Sequence, residues 1–284
     1  MKYCWCLFLF PVITACSDIQ SDDINTQNPP GFHLNDPQVF QLDKKLDEIS
    51  GIVFLDSSNT IIAENDEDGK LFSYDLSKKE ITNTVKFAGK GDYEDIAFTG
   101  PDWYVLRSDG ALFRIQNNFT DSIKTTEFAF PEKGNEFEGL FFNDSTQLLY
   151  LLCKSCTDSA DQKHISLHAF DINLQQWTPD ADISVSTEPI QPMLKKKKTS
   201  FKPSAIARHP ITKDYFILSG TDNLLVVTDP LFNIKGAYKL DATLYKQAEG
   251  VCFSQNGDLF ISNESAKKGP ATILYFKYEP GVNK

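Results

Sequence analysis

The chain has 284 residues and a mass of 32.0 kDa, enough to bury one large core or two small ones. Its 41% apolar and 24% charged residues are the proportions of a globular chain, which excludes a disordered, collagen-like, coiled-coil or multispan membrane protein. A net charge of −11 repels phosphate backbones and anionic head groups, so nucleic acid is excluded as a partner and so is a polybasic membrane patch. Twenty-two Phe and ten Tyr against two Met favour strands over helices.

Lys2 gives a short positive start, and residues 4–15 form an apolar run too short to span a bilayer as a mature helix. The run ends in Ile13-Thr14-Ala15-Cys16, which resembles a bacterial lipobox. Residues 1–15 therefore read as a signal peptide and Cys16 as the lipidated new N-terminus. The competing reading is a plain secretory signal with a chance cysteine. Ser17, rather than an acid, follows the cysteine and points to the outer membrane. Residues 16–30 are polar, acidic and end in Pro29 and Pro30, a flexible tether for a folded domain over 31–284. Removing 1–15 takes away one lysine and no acid, leaving −12. Only Cys153, Cys156 and Cys252 then remain as candidate thiols in a compartment that tolerates disulfides.

Beyond the tether the chain repeats. Glu48-Ile49-Ser50-Gly51-Ile52, Glu94-Asp95-Ile96-Ala97, Glu138-Gly139-Leu140, Ser204-Ala205-Ile206-Ala207 and Glu249-Gly250-Val251 share an acid or Ser, small residues and apolar alternation. Aligned on Gly51, Asp95, Gly139, Ala205 and Gly250 they are 44, 44, 66 and 45 residues apart. This period, with four short strands per unit, predicts an all-β chain folded as a β-propeller of five blades. A sixth blade would fit only if the long third unit hides a degenerate one. The first unit has strands at 49–55, 59–63, 70–75 and 80–87, divided by turn signals such as Asp68-Gly69. The last unit has room for three strands, and Gln38 to Lys45 is expected to complete it, closing the ring and hiding its edges. The 22 surplus residues of the third unit are assigned to two loops, Lys154–Lys163 and Glu188–Lys202, the second carrying four lysines at 195–198.

In a propeller the innermost strands begin, and the next strands end, at one mouth of the central channel. Glu48, Glu94, Glu138, Ser204 and Glu249 supply the first set, and Glu64, Arg107, Lys154, Ser219 and Glu264 the second. Carboxylates gathered at one opening repel unless protonated, paired or bridged by a cation. Hard oxygen ligands suit Ca²⁺ or Mg²⁺, and Glu48, Glu138 and Glu249 are the candidate Ca²⁺ set. In the competing reading these acids bond backbone N–H groups between blades and pair with Arg107 and Lys154. Glu64 to Gly69 has the look of a calcium loop but lacks its terminal bidentate Glu, and reads as a tight hairpin. Cys153 and Cys156 close the base of a loop near His164 and His168. They fit a disulfide, a loose Cys2His2 site or two free thiols, of which the disulfide is favoured. Cys252 reads as a buried apolar residue, His209 as structural, and the lysine run as a solvated loop. No nucleophile elbow, Walker loop, dinucleotide fingerprint or zinc-protease helix occurs.

Taken in order, the motifs resemble the SdiA-regulated family of bacterial envelope propellers. Those carrying the likeness are Glu48-Ile49-Ser50-Gly51-Ile52, Gly91 to Ala97, Arg107-Ser108-Asp109-Gly110, Phe137 to Leu140, Lys202 to Ala207, Gln247 to Val251 and Asn256 to Glu264. The lipobox and the cysteine loop are similar to those of lipoproteins from Bacteroidetes-type bacteria. The resemblance implies a propeller in the cell envelope, and a looser similarity to phytase-like and gluconolactonase-like propellers implies Ca²⁺ on channel-mouth carboxylates. Two functions follow. The favoured one is a monomeric, lipid-anchored, non-catalytic module binding a small ligand, a glycan or an envelope protein. The alternative is a Ca²⁺-dependent phosphoesterase or lactonase, with the mouth acids holding the metal.

Overall fold

Alternating apolar residues build twenty-one short strands among the described residues, and strands inside the blades are buried on both faces while outer ones such as β5 (Glu80–Lys86) are largely exposed. In β3 (Thr60–Asn65), for example, Ile61 and Ala63 pack on one side and Ile62 on the other. The structure is a computed structural model describing Met1 and residues 28–116, 123–157, 163–194, 201–265 and 269–282. The signal peptide, Cys16, most of the tether and the lysines at 195–198 lie outside the described residues.

The strands form five antiparallel sheets set as blades around a channel. The first blade holds β2 (Ile49–Leu55), β3, β4 (Lys70–Asp75) and β5 (Glu80–Lys86). The second holds β6 (Tyr93–Phe98), β7 (Trp103–Arg107), β8 (Leu112–Gln116) and β9 (Lys124–Phe128). The third holds β10 (Glu136–Asn143), β11 (Leu148–Ser155), β12 (His164–Asp171) and the two-residue β13 (Gln176–Trp177). The fourth holds β15 (Ala205–Arg208), β16 (Tyr215–Ser219), β17 (Leu224–Thr228) and β18 (Ile234–Lys239). In the fifth, β19 (Ala248–Phe253), β20 (Leu259–Asn263) and β21 (Thr272–Phe276) are completed by β1 (Gln38–Gln41), which pairs with β21. The N-terminal strand thus closes the ring. It stops at Gln41 rather than Lys45, because Asp43 accepts the Lys45 N–H and turns Lys44–Leu46 into a single 3-10 turn.

There are five blades, not six. The surplus of the third unit is only partly loop: β14 (Ile183–Ser186) also pairs with β12, and α1 (Ile190–Leu194) follows. The expected loop at 188–202 therefore opens with a helical turn, held because Ile190 and Leu194 are buried in the seam between the third and fourth blades. No helix among the described residues is long and apolar enough to cross a membrane.

The core is divided into five clusters, one at each seam between neighbouring blades. Inner strands follow one another as β2, β6, β10, β15 and β19, with β19 returning to β2. Their starts gather at one mouth of the channel and their ends at the other.

Candidate functional site

The polar residues of the first mouth are placed by a repeated irregularity. An extra residue on one strand of an antiparallel pair is left without a partner and bends the strand, re-aiming its side chain. Tyr93 pairs with Arg107 and Asp95 with Leu106, so Glu94 is the extra residue. Glu138 is skipped between Phe137 and Gly139, and Glu249 between Ala248 and Gly250. In β2 the shift falls at Ser50-Gly51, opposite Glu64. The bulge position thus carries Ser50, Glu94, Glu138 and Glu249, and Glu48 stands two residues earlier, on the rim.

This offset decides which acids meet. Carboxylate oxygens of Glu48, Asp66 and Glu264 all lie within 4.8 Å of one another, the one such group of potential metal ligands among the described residues. The backbone makes the meeting: the Asp66 N–H donates to the Glu48 carbonyl, and the Ser265 N–H to the Asp47 carbonyl, across the seam between the fifth and first blades. Glu264 also accepts from Gln247 Nε2 at 2.7 Å. Beside them, Glu64 is fully buried; its Oε1 accepts the Gly51 N–H at 2.7 Å, and its Oε2 has no hydrogen-bond partner. Asp66 Oδ1 is likewise buried without a donor. Such atoms lose their hydration with nothing in return.

The electrostatics follow from this crowding. Burial, then the charges of Glu48, Glu67 and Asp92, push the Asp66 carboxyl up to about 6. Burial, Glu48, Asp66 and Glu138 push Glu264 to about 7, against the pull of Lys154. Glu249 rises to about 8 and Glu94 to about 10, burial leading in both and Glu138 next. Burial also raises Glu64 well above the usual carboxylate range. Desolvation and like charge act in the same direction, and both favour the protonated form of these carboxyls.

Other expected residues are already engaged. Glu138 bonds Lys154, which also meets Glu136 at 3.1 Å. Of the expected Ca²⁺ set, then, Glu48 is in the convergent group, Glu138 faces a lysine, and Glu249 lies near Ser204. Arg107 is held by Asp109 and Glu127, both at 2.9 Å. The Ser204 hydroxyl donates to the Ala248 carbonyl and ties the fourth blade to the fifth, while the Ser219 hydroxyl donates to Asp222. Cys153 and Cys156 are joined in a disulfide, Cα atoms 6.0 Å apart, and His168 bonds Asp182. Cys252 is a buried free thiol, and His209 is buried with Nδ1 accepting the Ile211 and Thr212 N–H groups.

Asp66 and Asp95 are absent from the sequence-based set. Asp66 lies in the turn read as a hairpin, which it is, with Gly69 at φ +60°. Its signal is its place two residues after Glu64, on the same side of the strand end. Asp95 serves as a strut: its oxygens accept the Ile96 and Leu140 N–H groups, joining the second blade to the third. Gly51 packs so closely that a Cβ there would lie 2.4 Å from Asp95 Oδ1.

Among solved structures, the chain is similar to glutaminyl cyclase from Myxococcus xanthus, at 12% identity and a TM-score of 0.59 over 89% of this chain and 100% of that one. It is also similar to a luciferin-regenerating enzyme, at 10% identity and 0.52 over 87% and 96%. At these identities the likeness is one of fold. No curated protein matches the sequence. The profile of the SdiA-regulated family matches residues 32–267, from the residues before the closing strand to the end of the acidic mouth. With that match spanning most of the sequence and every strand of the five blades except β21, the chain belongs to the SdiA-regulated family.

Proposed function

We propose that this chain is a lipid-anchored envelope propeller, monomeric and held at the outer membrane through Cys16, that acts as a non-catalytic binding module at its acidic mouth. The observation that carries the reading is the convergence of Glu48, Asp66 and Glu264 beside buried, donor-less oxygens of Glu64 and Asp66. An all-carboxylate set of this kind fits Ca²⁺. Bound there, the ion would offer a positive centre to an oxygen-rich small ligand, a glycan or an envelope protein. Calorimetric titration of EDTA-treated protein with CaCl2 tests the site, and one ion per chain is expected. No heat of binding between pH 7 and 8 would refute it. Palmitate labelling that disappears in Cys16→Ser, with release from the membrane fraction, tests the anchor.

A second reading, a Ca²⁺-dependent phosphoesterase or lactonase, is favoured by Glu264 at about 7 and Glu249 at about 8, the range that suits a general base near neutral pH. Turnover of a phosphoester or lactone panel by Ca²⁺-loaded protein, abolished in Glu249→Gln, would establish it. Absence of turnover by protein with a full Ca²⁺ complement would leave the binding module.

A further inference from the structure

The other mouth of the channel is built from different residues. The inner strands end at equivalent repeat positions with Phe54, Phe98, Phe142, Arg208 and Phe253, each three residues after an aligned Gly51, Asp95, Gly139, Ala205 or Gly250. All five are half-buried and line an open cavity of about 480 Å³. That volume is within the range of small-molecule sites, roughly 300–1,000 Å³. Below the ring the lining continues with apolar side chains such as Ile52 and Leu140.

Three charged residues line this cavity, and two are already satisfied. Asp56 accepts the Gln255 N–H at 3.1 and 3.2 Å, and Asp95 accepts two backbone N–H groups. Arg208 is the exception. Its Nε is buried without a hydrogen-bond partner, its guanidinium lies over Tyr215, and its nearest acid is Asp144 at 3.8 Å, itself 83% exposed. The guanidinium, whose nearest acid is Asp144 at 3.8 Å, lines the cavity together with four half-buried phenylalanines, and a planar fork in that setting suits an oxyanion head such as a carboxylate on an apolar body.

We propose that this second mouth binds a small amphipathic carboxylate, its apolar part against Phe54, Phe98, Phe142 and Phe253 and its head on Arg208. The site is separate from the acidic mouth, because the inner strands run the length of the channel between the two.

Decanoate, kept below its micellar concentration, is the probe, and 1-decanol its neutral counterpart. Trp103 stacks on Phe98 with ring centroids 4.4 Å apart, so its emission reports occupancy of the ring, with calorimetry giving stoichiometry. One decanoate per chain is expected, bound about tenfold or more tighter than decanol, since a charge-assisted hydrogen bond is worth at least that factor. Arg208→Gln should weaken decanoate by about the same factor and leave decanol unchanged; Arg208→Lys should fall between. Equal affinity for the two probes, unaltered decanoate binding in Arg208→Gln, or no saturable binding would each overturn the proposal. The comparison of probes on the unaltered protein keeps the test valid if the variant fails to fold. EDTA should not change decanoate affinity, which separates this site from a failure at the acidic mouth.

Discussion

Glu264→Gln separates a cation site from a structural strut. The substitution keeps an oxygen to accept from Gln247 and removes one charge from the group that includes Glu48 and Asp66. The folded-state carboxyl, raised from 4.5 to about 7, is above its unfolded value. Its contribution to stability is therefore complete below about pH 4.5 and lost as pH rises through about 7. At about 1.4 kcal/mol per pH unit, ionised Glu264 costs the fold about 3 kcal/mol, which screening at this half-open mouth reduces to about 1–2 kcal/mol. At pH 8 in EDTA the variant should accordingly melt higher than the parent, by roughly 2–8 °C for a domain of this size. The parent should recover and exceed this with Ca²⁺. An ion at 100 times its Kd stabilises by about 2.7 kcal/mol, or roughly 5–10 °C. The variant should show little of that shift. Both differences should shrink at pH 4.5, where Glu264 is protonated in the folded state and about half protonated in the unfolded one. Scanning calorimetry at the two pH values, with EDTA and then excess Ca²⁺, provides the four comparisons. A variant that melts lower than the parent at pH 8 in EDTA, or keeps the full Ca²⁺ shift, would refute the reasoning and make Glu264 a strut.

Asp95→Asn replaces one accepting oxygen with an NH2 group facing the Ile96 or Leu140 N–H. It should cost about 1–3 kcal/mol in urea unfolding, with Ca²⁺ uptake retained by the folded fraction; an unchanged midpoint would show that the seam does not depend on this carboxylate. Phe32→Ala empties a fully buried position among His209, Phe216, Phe253 and Tyr278 and should cost about 3–5 kcal/mol. Its check is also urea unfolding, and a loss below about 1 kcal/mol would show that the seam refills without the ring. Burial holds His209 down to about 4 from an ordinary 6.5, so the stability it confers is present above about 6.5 and drains as pH falls toward 4. His209→Asn keeps an acceptor for the Ile211 and Thr212 N–H groups but does not titrate, and should show a shallower loss of stability between pH 6.5 and 4. Equal slopes would place the acid sensitivity elsewhere.

The five blades, their near 44-residue period and the closing strand are legible in the chain because each rests on local chemistry. Two-residue alternation sets the strand faces, Asp68-Gly69 and its counterparts set the turns, and a three-strand last unit demands a partner for its open edge. The acidity of one mouth is legible for the same reason, since strand starts and ends must meet there. The composition of the site is not local. Glu48 and Glu264 stand at opposite ends of the sequence and meet only where the ring closes, across the seam that places Asp66 between them. A bulge shifts one side chain without altering the apolar alternation on either side, so the different places of Glu48 and Glu94 leave no mark in the pattern. Whether an acid is claimed by a neighbour is also a matter of distance: Lys154 takes Glu138 and Glu136, while Glu64 and Asp66 keep oxygens without donors. The arginine among four phenylalanines at the far mouth is written in the repeat at one shared position. Only the closed channel turns those five residues into the wall of a single cavity, because charge and contact sum over space rather than along the chain.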